Sequence, residues 1–525
     1  MQTVNSKVSL SSQNNKRIAK NTMMLYFRML LIMGVTLYTV RVVLNVLGAE
    51  DYGIYNVVGG IVIMFSFLSN TMATASQRFF AYELGRNNLA QLKKTFSMTL
   101  SIYVLIAIII LIMAETVGLW FLNTQMTIPE NRMEAANWVY QFSIFSFMMT
   151  MFTIPYYASI IAHERMNIYA YASIAEALLK LGILYLLVLF SVDKLKLYAI
   201  LVFVVTASIT VVYRIYCKRQ FEECKYKFYW DKPLFKELIG YSGWNLFGAL
   251  AALCNVHGIN ILLNVFFGPV VNAANAVAYR VSSAINQFVM NFLTAVKPQI
   301  TKYYAVGKVS QMINLVCQSS KYSFFLLLIL SMPILLETNF VFRLWLEATP
   351  EYVVLFTRLV VVNALVNSLS YPLMTAAQAT GMIKKYQTIV GSVMLLNIPL
   401  AYIALKVGLP AQSALYIGIL ISLLCLYLRL KLLKTMINLS ITRYRQLVLN
   451  PVGVVIVISY ILPVLIHHNM SDSLLRFLIV SIVGGVSSLF SIYVFGLNSD
   501  ERSYIHNLFM KFYSKCGEIK LRENV

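Results

Sequence analysis

"RVVLNVLGAEDYGIYNVVGG" occupies residues 41–60 and interrupts a chain that is otherwise apolar over long stretches. An arginine, two acids, two tyrosines and several glycines fall together here, between two apolar segments. A helix needs about 20 apolar residues to cross a bilayer. The stretch therefore predicts a short turn, Gly48–Gly53, between a first and a second membrane-spanning helix.

Composition extends this interpretation to the whole chain. Hydrophobic residues make up 59% of the 525 residues and charged residues only 12%, whereas a soluble domain has about 25% charged residues. The chain is therefore predicted to be an all-α polytopic membrane protein without a large water-facing catalytic domain. We place fourteen spans at residues 22–47, 54–75, 95–122, 137–161, 168–190, 197–217, 238–265, 270–296, 313–336, 352–376, 388–406, 412–430, 451–466 and 474–496.

The net charge of +22 follows the predicted topology. Of the 43 Lys and Arg residues, 31 lie in loops, tails and helix ends on one side, six lie in the loops of the other side, and six lie within spans. Because basic residues accumulate on the cytoplasmic side, both termini are predicted to be cytoplasmic. The basic residues then face anionic phospholipid, and the charge does not indicate nucleic acid binding.

An internal repeat is visible when "VLNVLGAEDYGIYNVV" (43–58) is set beside "LLNVFFGPVVNAANAV" (262–277), which aligns Gly48 with Gly268. Pro155 and Pro372 each precede a tyrosine by 14 residues in corresponding spans. Both prolines are candidate hinges, with a static kink as the alternative. The matches predict two parallel six-helix repeats around a central cavity, plus a final helix pair. The predicted divisions are 1–217 (N-lobe), 218–237 (cytoplasmic linker), 238–435 (C-lobe), 436–450 (connector), 451–496 (helices 13 and 14) and 497–525 (cytoplasmic tail).

Charged side chains inside spans are the first candidates for lining that cavity, because a charge in hydrocarbon is costly. Arg280 lies near the middle of its helix, while Arg41, Lys321 and Arg358 lie one to two turns from a helix end. Glu176 and Lys180 are four residues apart, so they can face each other. They are either a self-neutralising structural pair or an ion-responsive switch in which Lys180 is freed when Glu176 is protonated.

Uncharged polar residues recur at helical spacing on three spans. They are Asn272, Asn275, Tyr279 and Asn286 on the eighth helix, His257 and Asn260 on the seventh, and Asn56 and Asn70 on the second. They either line the cavity or pack helices together through hydrogen bonds. We predict no catalytic residue, since there is no phosphate-binding loop for ATP hydrolysis. His467 and His468 are interpreted as solvated residues of an outer loop, and we predict no metal site there, since they lack partners at ligand spacing.

One signature resembles a known family. Arg41, Leu47-Gly48, Glu50, Tyr52-Gly53 and Tyr55, followed by Arg78 and Glu83-x-Gly85, is similar to the N-terminal pattern of the polysaccharide-transport branch of the multidrug/oligosaccharidyl-lipid/polysaccharide exporter superfamily. That branch includes the flippases for O-antigen (the lipopolysaccharide glycan) and capsule repeat units. The resemblance implies two lobes around a cationic cavity in the bacterial inner membrane.

The resemblance also implies a function. The substrate would be undecaprenyl-diphosphate-linked oligosaccharide, flipped from the inner to the outer leaflet by alternating access. No cofactor is expected beyond a coupling ion, H⁺ or Na⁺. The chain is expected to be a monomer, with a polysaccharide polymerase complex as a partner. The alternatives are a multidrug or small-cation antiporter of the same superfamily, a non-transporting scaffold of a polysaccharide assembly complex, and a membrane glycan enzyme, which the short outer loops disfavour.

Overall fold

The structure, a computed structural model, describes residues 2–63, 66–126, 128–190, 192–346, 351–499, 501–503 and 506. Most of the predicted tail, 497–525, lies outside this range. The described residues are almost entirely helical. The helices are α1 Gln2–Ile63, α2 Ser66–Gly85, α3 Leu89–Met113, α4 Leu119–Gln125, α5 Met133–Ala162, α6 Met166–Val188, α7 Lys194–Gln220, α8 Lys232–Ala305, α9 Val309–Leu336, α10 Thr338–Trp345, α11 Val353–Thr380, α12 Ile383–Leu395, α13 Asn397–Lys406, α14 Ser413–Ile437, α15 Ile441–Tyr444, α16 Asn450–Asn469 and α17 Leu474–Ser491.

The helices agree with the predicted spans. Among the described residues, twelve helical stretches are long and apolar enough to cross a membrane. One of them, α8, has 74 residues and breaks at Gly268, so it accounts for two predicted spans. The second predicted span covers the end of α1 and the start of α2. The prediction of an all-α polytopic membrane protein with about fourteen spans is confirmed.

The break between the first two spans is shorter than predicted. The predicted turn at Gly48–Gly53 reduces to one residue, because Gly48 alone departs from helical geometry within α1, with φ 83° and ψ 169°. Its counterpart Gly268 has φ 80° and ψ −175° in α8. This combination of angles is open essentially to glycine alone. Two glycines aligned by the sequence repeat therefore make the same backbone break.

The chain forms two compact units, and the predicted division into lobes, linker and tail stays a prediction. Unit 1 comprises 1–252, 291–312 and 375–391, and unit 2 comprises 253–290, 313–374 and 392–525. We call the membrane side at which α1 begins the N-side and the opposite side the far side. In unit 1, α5 packs against α7, α2 and α3, and α1 packs against α6. Pro155 lies inside α5 and Pro372 inside α11, and their role as hinges stays a prediction.

One acid of the opening stretch, Asp51, has a structural role on the far side of unit 1. Asp51 accepts two hydrogen bonds from the Arg132 guanidinium, one of them 2.8 Å long from Nε. Arg132 also donates to Asp193 at 2.8 Å, and Asp193 caps α7 by accepting from the Leu195 and Lys196 backbone. Burial alone would raise the pKa of Asp193. These hydrogen bonds and the Arg132 charge nevertheless hold this pKa below its usual value. The network joins α1, α5 and α7 at one end.

The final helix pair is fixed within unit 2 at both of its ends. On the far side, the buried Glu337 carboxylate accepts hydrogen bonds from Arg476 at 2.7 Å and His467 at 2.8 Å. Toward the N-side, Lys321 on α9 pairs with Glu501 at 2.7 Å. The interpretation of His467 as a solvated loop residue is therefore wrong. It lies in the last turn of α16 and contacts a carboxylate 130 residues away in sequence.

Candidate functional site

Five helices of unit 1 (α1, α2, α5, α6 and α7) surround a cavity of about 650 Å³. This volume lies within the range of small-molecule binding sites, roughly 300–1,000 Å³. The lining is rich in hydroxyl groups, with six tyrosines in addition to serines and threonines. The tyrosines are Tyr52, Tyr55, Tyr157, Tyr169, Tyr198 and Tyr213. A tyrosine offers an apolar ring and a polar tip, which suits a ligand that presents both kinds of surface.

Helical periodicity explains why these side chains reach the cavity. On α6, Tyr169, Ser173, Glu176 and Lys180 follow one another at spacings of four, three and four residues and all line the cavity. On α1, Arg28, Ile32, Val35, Thr39 and Val43 do the same. Residues at such spacings lie on one face of a helix. The cavity is thus bounded on two sides by single helix faces of mixed polar and apolar character.

The lining carries two cations and one carboxylate. Lys180 Nζ donates to Glu176 Oε1 at 2.6 Å, and both side chains are about one-third exposed (37% and 33%). Arg28 has no carboxylate partner among the described residues, and its guanidinium stands 4.3 Å from the centre of the Tyr169 ring. Its Nε is buried and has no hydrogen-bond partner within the described ranges. The cavity therefore has an excess positive charge at Arg28.

Four of the residues predicted for the cavity line it: Glu176, Lys180, Asn56 and Asn70. Arg28 also lines the cavity, although it was not among the residues predicted for it. Depth along a helix does not give the direction in which a side chain points. The face shared by Arg28 with four further lining residues of α1 is the signal that could have identified it.

Most of the other predicted residues lie in unit 2, on its part of α8. Asn275 is fully buried and donates to Asn260, and Asn286 donates to Ser282 at 3.3 Å. Arg280 is exposed on the helix face away from Asn275. Asn272 and Tyr279 are partly buried, while His257 is exposed. Hydrogen bonding within unit 2 therefore accounts for part of the polar stripe, and a cavity role for these residues stays a prediction.

The remaining charged candidates have different surroundings. Lys321 is 1% exposed and paired with Glu501, so its charge is already compensated. Arg358 donates through Nε to the Thr338 hydroxyl at 3.1 Å. Arg41 is exposed and is not part of the cavity lining of unit 1. Within the described residues, no three His, Cys, Asp or Glu side chains gather as a metal site would require.

A fold of membrane-spanning helices that surround a polar cavity defines a polytopic membrane protein. A family model described as "polysaccharide biosynthesis protein" matches residues 18–304. The chain belongs to this family. The resemblance to the polysaccharide-transport branch that the sequence signature indicated is confirmed. No curated protein matches the sequence significantly.

Solved transporter structures share the fold. The MATE transporter ClbM in complex with Rb⁺ is 15% identical, with a TM-score of 0.67 over 82% of this chain and 96% of that one. A MATE structure in the bent conformation is 12% identical with a TM-score of 0.70, over 81% and 96% of the two chains. A MOP superfamily transporter from Pyrococcus furiosus, described as having a binding pocket of reversed polarity, is 12% identical with a TM-score of 0.66, over 80% and 96%. At these identities the likeness shows the fold.

Proposed function

We propose that the protein flips undecaprenyl-diphosphate-linked oligosaccharide from the inner to the outer leaflet of the bacterial inner membrane by alternating access. The N-side is then the cytoplasmic side, and both termini are cytoplasmic. Family membership supports a role in polysaccharide biosynthesis, and the fold supports transport. The glycan would be an O-antigen, capsule or exopolysaccharide repeat unit.

The unit 1 cavity is the observation that carries this proposal. Its six tyrosines and its hydroxyl and amide groups suit a sugar, which is rich in hydroxyls and has apolar faces. Arg28 lacks a carboxylate partner among the described residues, and a guanidinium binds phosphate oxygens in pairs. A flippase needs no covalent chemistry, so the cavity contributes only binding and a polar path. No catalytic residue, cofactor or second copy of the chain is required by this mechanism.

The coupling ion in this proposal acts through Glu176 and Lys180. Protonation of Glu176 would release Lys180 from the 2.6 Å ion pair and leave a second cation free to meet an anionic substrate. A proton gradient could then bias the cavity between two charge states. Na⁺ bound by the Glu176 carboxylate would free Lys180 in the same way.

The experiment is rescue of surface glycan in a strain whose own repeat-unit flippase is deleted. The wild-type chain restores surface glycan, and Arg28→Ala, Lys180→Ala and Arg280→Ala reduce it at equal membrane levels. Lys93→Ala is the matched control, because it removes an exposed cation whose partner, Glu222, is outside the cavity. Rescue by all variants would contradict a role for these charges.

A second candidate, a multidrug or small-cation antiporter, is favoured only by the carboxylate of Glu176 in the cavity. Against it, Lys180 already neutralises that carboxylate. Purified protein in liposomes separates the candidates. A flippase exposes a fluorescent lipid-linked oligosaccharide to a reagent on the other side, an antiporter moves ethidium instead, and a scaffold for a polymerase complex does neither.

A further inference from the structure

Two residues of the family signature, Arg78 and Gly85, lie outside the cavity and need another explanation. Arg78 is 9% exposed and donates through Nη2 to the Ala379 carbonyl at 3.2 Å. A Cβ atom at Gly381, which has φ +80°, would stand 2.6 Å from the same Nη2. Arg78 therefore contacts the backbone turn between α11 and α12, about 300 residues further along the chain. All of these residues belong to unit 1.

Gly85 marks a second contact of the same kind. It ends α2, and a Cβ atom there would come within 2.9 Å of Ala305 Cβ and 3.0 Å of Lys302 Cα. Real Cβ atoms rarely approach other heavy atoms so closely unless a neighbour is displaced. The N-side end of α2 therefore meets the N-side end of α8 so closely that a side chain at position 85 would force the neighbouring atoms to shift.

A buried carboxylate completes this set. The Glu164 side chain, in the turn between α5 and α6, has no exposed surface. It accepts from Arg17 Nε at 2.7 Å, Lys302 Nζ at 2.6 Å and Gln299 Nε2 at 2.8 Å. Its backbone has φ 61°, a conformation that costs a non-glycine residue about 1–2 kcal/mol. A strained residue with a fully paired side chain is held in place by the groups around it.

We infer that Arg78, Gly85 and Glu164 form a latch that holds the N-side of the protein closed. Each of the three belongs to the first sequence repeat and contacts the N-side end of a helix of the second repeat, α8 or α11. Without Glu164, Arg17 and Lys302 would face each other as like charges with no counter-ion, which favours separation. The latch must open for the unit 1 cavity to communicate with the N-side. Its part in transport rests on the proposed function, whereas its closure does not.

The test measures the closure directly in purified, substrate-free protein. Spin labels are attached at Ala90→Cys and Lys308→Cys, two exposed positions next to the N-side ends of α2 and α8, in a chain whose six cysteines are replaced. Pulsed electron paramagnetic resonance then measures the distance between the two spin labels. We expect one short distance in the otherwise unchanged chain. Glu164→Gln should raise the ratio of separated to closed molecules at least tenfold, since breaking a buried ion pair is strongly unfavourable.

Two further variants make the result decisive. Gly85→Leu acts by bulk rather than charge and should produce the same separated population. Glu222→Gln is the matched control, because it breaks a lysine–glutamate pair of similar length (2.8 Å) on the N-side that is largely exposed, and it should leave the distances unchanged. Wild-type distances in both Glu164→Gln and Gly85→Leu, each checked for helicity and monodispersity, would overturn the latch. No glycan or flipping is measured, so failure of the proposed function would leave this result intact.

Discussion

At the scale of single residues, Arg28 is the side chain with the most specific expected role. It is the cation of the unit 1 cavity that has no carboxylate partner within the described residues. A hydrogen bond to a charged group contributes about 1.5–3 kcal/mol, and 1.4 kcal/mol corresponds to a factor of ten. We therefore expect Arg28→Ala to lower lipid-linked oligosaccharide flipping in liposomes roughly tenfold or more. Arg28→Lys should retain part of it, because the charge remains while the planar fork is lost. Equal activity of all three chains would contradict the prediction.

Glu176 is expected to govern the response to the proton gradient. The neutral amide of Glu176→Gln leaves Lys180 without its 2.6 Å ion pair at every pH. Flipping by this variant should then no longer depend on an imposed pH gradient, whereas flipping by the wild-type chain should. The measurement is initial flipping rate in liposomes with and without the gradient. A gradient dependence that survives in Glu176→Gln would assign coupling to another group.

The cavity could be predicted from sequence only in part. Helical spacing correctly brought Glu176 and Lys180 together, since the pairing is local to one helix. The sequence did not show that the face of α1 with Arg28 closes the same cavity, because that depends on how α1 packs against α6. It also gave no sign that Glu164 meets Lys302, 138 residues away.

At the scale of helices, the glycine breaks in α1 and α8 are expected to resist substitution. Gly48 and Gly268 adopt a backbone conformation that L side chains rarely enter, and a residue held there costs about 1–3 kcal/mol. Gly48→Ala and Gly268→Ala should each lower the melting temperature of the detergent-solubilised protein. Gly34→Ala is the control in α1. It lies in regular helix with open space around it, so alanine should be neutral or slightly stabilising. A larger fall in melting temperature for Gly34→Ala than for Gly48→Ala and Gly268→Ala would contradict this prediction.

The terminal helix pair is expected to depend on pH through Glu337. Burial alone would raise the pKa of the Glu337 carboxyl. The hydrogen bonds and charges of Arg476 and His467 nevertheless hold this pKa below its usual value. A carboxyl whose folded-state pKa is depressed stabilises the fold above its unfolded-state pKa, and the stabilisation is lost as pH falls through the folded-state value. Thermal stability should therefore fall as the pH drops below about 4.3, the ordinary value for Glu.

Substitution of Glu337 should remove that contribution. Glu337→Gln leaves Arg476 buried without its counter-ion, and breaking such a pair costs about 3–5 kcal/mol. Its melting temperature should be lower than that of the wild-type chain at neutral pH and should change less on acidification. Arg343→Ala is the control, because this arginine is 58% exposed where it contacts Asp472 and exposed pairs contribute roughly 0–1 kcal/mol. Equal melting temperatures for Glu337→Gln and the wild type would refute the prediction.

The positions of the helices could be predicted from the sequence more fully than the side-chain contacts between them. Apolar length identified the spans, and the repeat aligned Gly48 with Gly268 before their matching angles were known. The same pattern overestimated the turn, because polar residues such as Asp51 can continue a helix when a partner such as Arg132 meets them. His467 was misjudged for the same reason, since its carboxylate partner is distant in sequence.

At the scale of the whole molecule, the two sequence repeats are expected not to be independent folding units. Unit 1 contains 291–312 and 375–391 from the second repeat, which supply Lys302 to Glu164 and Ala379 to Arg78. A chain divided between Lys227 and Phe228, in the segment without regular structure, should therefore reassemble when both parts are produced together. The measurement is co-purification of the second part with a tagged first part.

The control for reassembly is the same division with Glu164→Gln and Arg78→Ala in the first part, which should recover less of the second part. Equal recovery from both pairs would mean that other contacts hold the parts together. A first part that is fully stable when produced alone would contradict the expectation, since it would not need Lys302 or Ala379.

The pair of Lys321 and Glu501 has a practical consequence for shortening the protein. Lys321 is 1% exposed and Glu501 is 6% exposed, and Glu501 lies only five residues after the last turn of the final helix pair at Gly496. A chain that ends at Gly496 keeps every predicted span but leaves an ammonium group buried without its carboxylate. Trimming of this terminus for crystallisation, or attachment of a reporter protein to it, should therefore begin after Arg502.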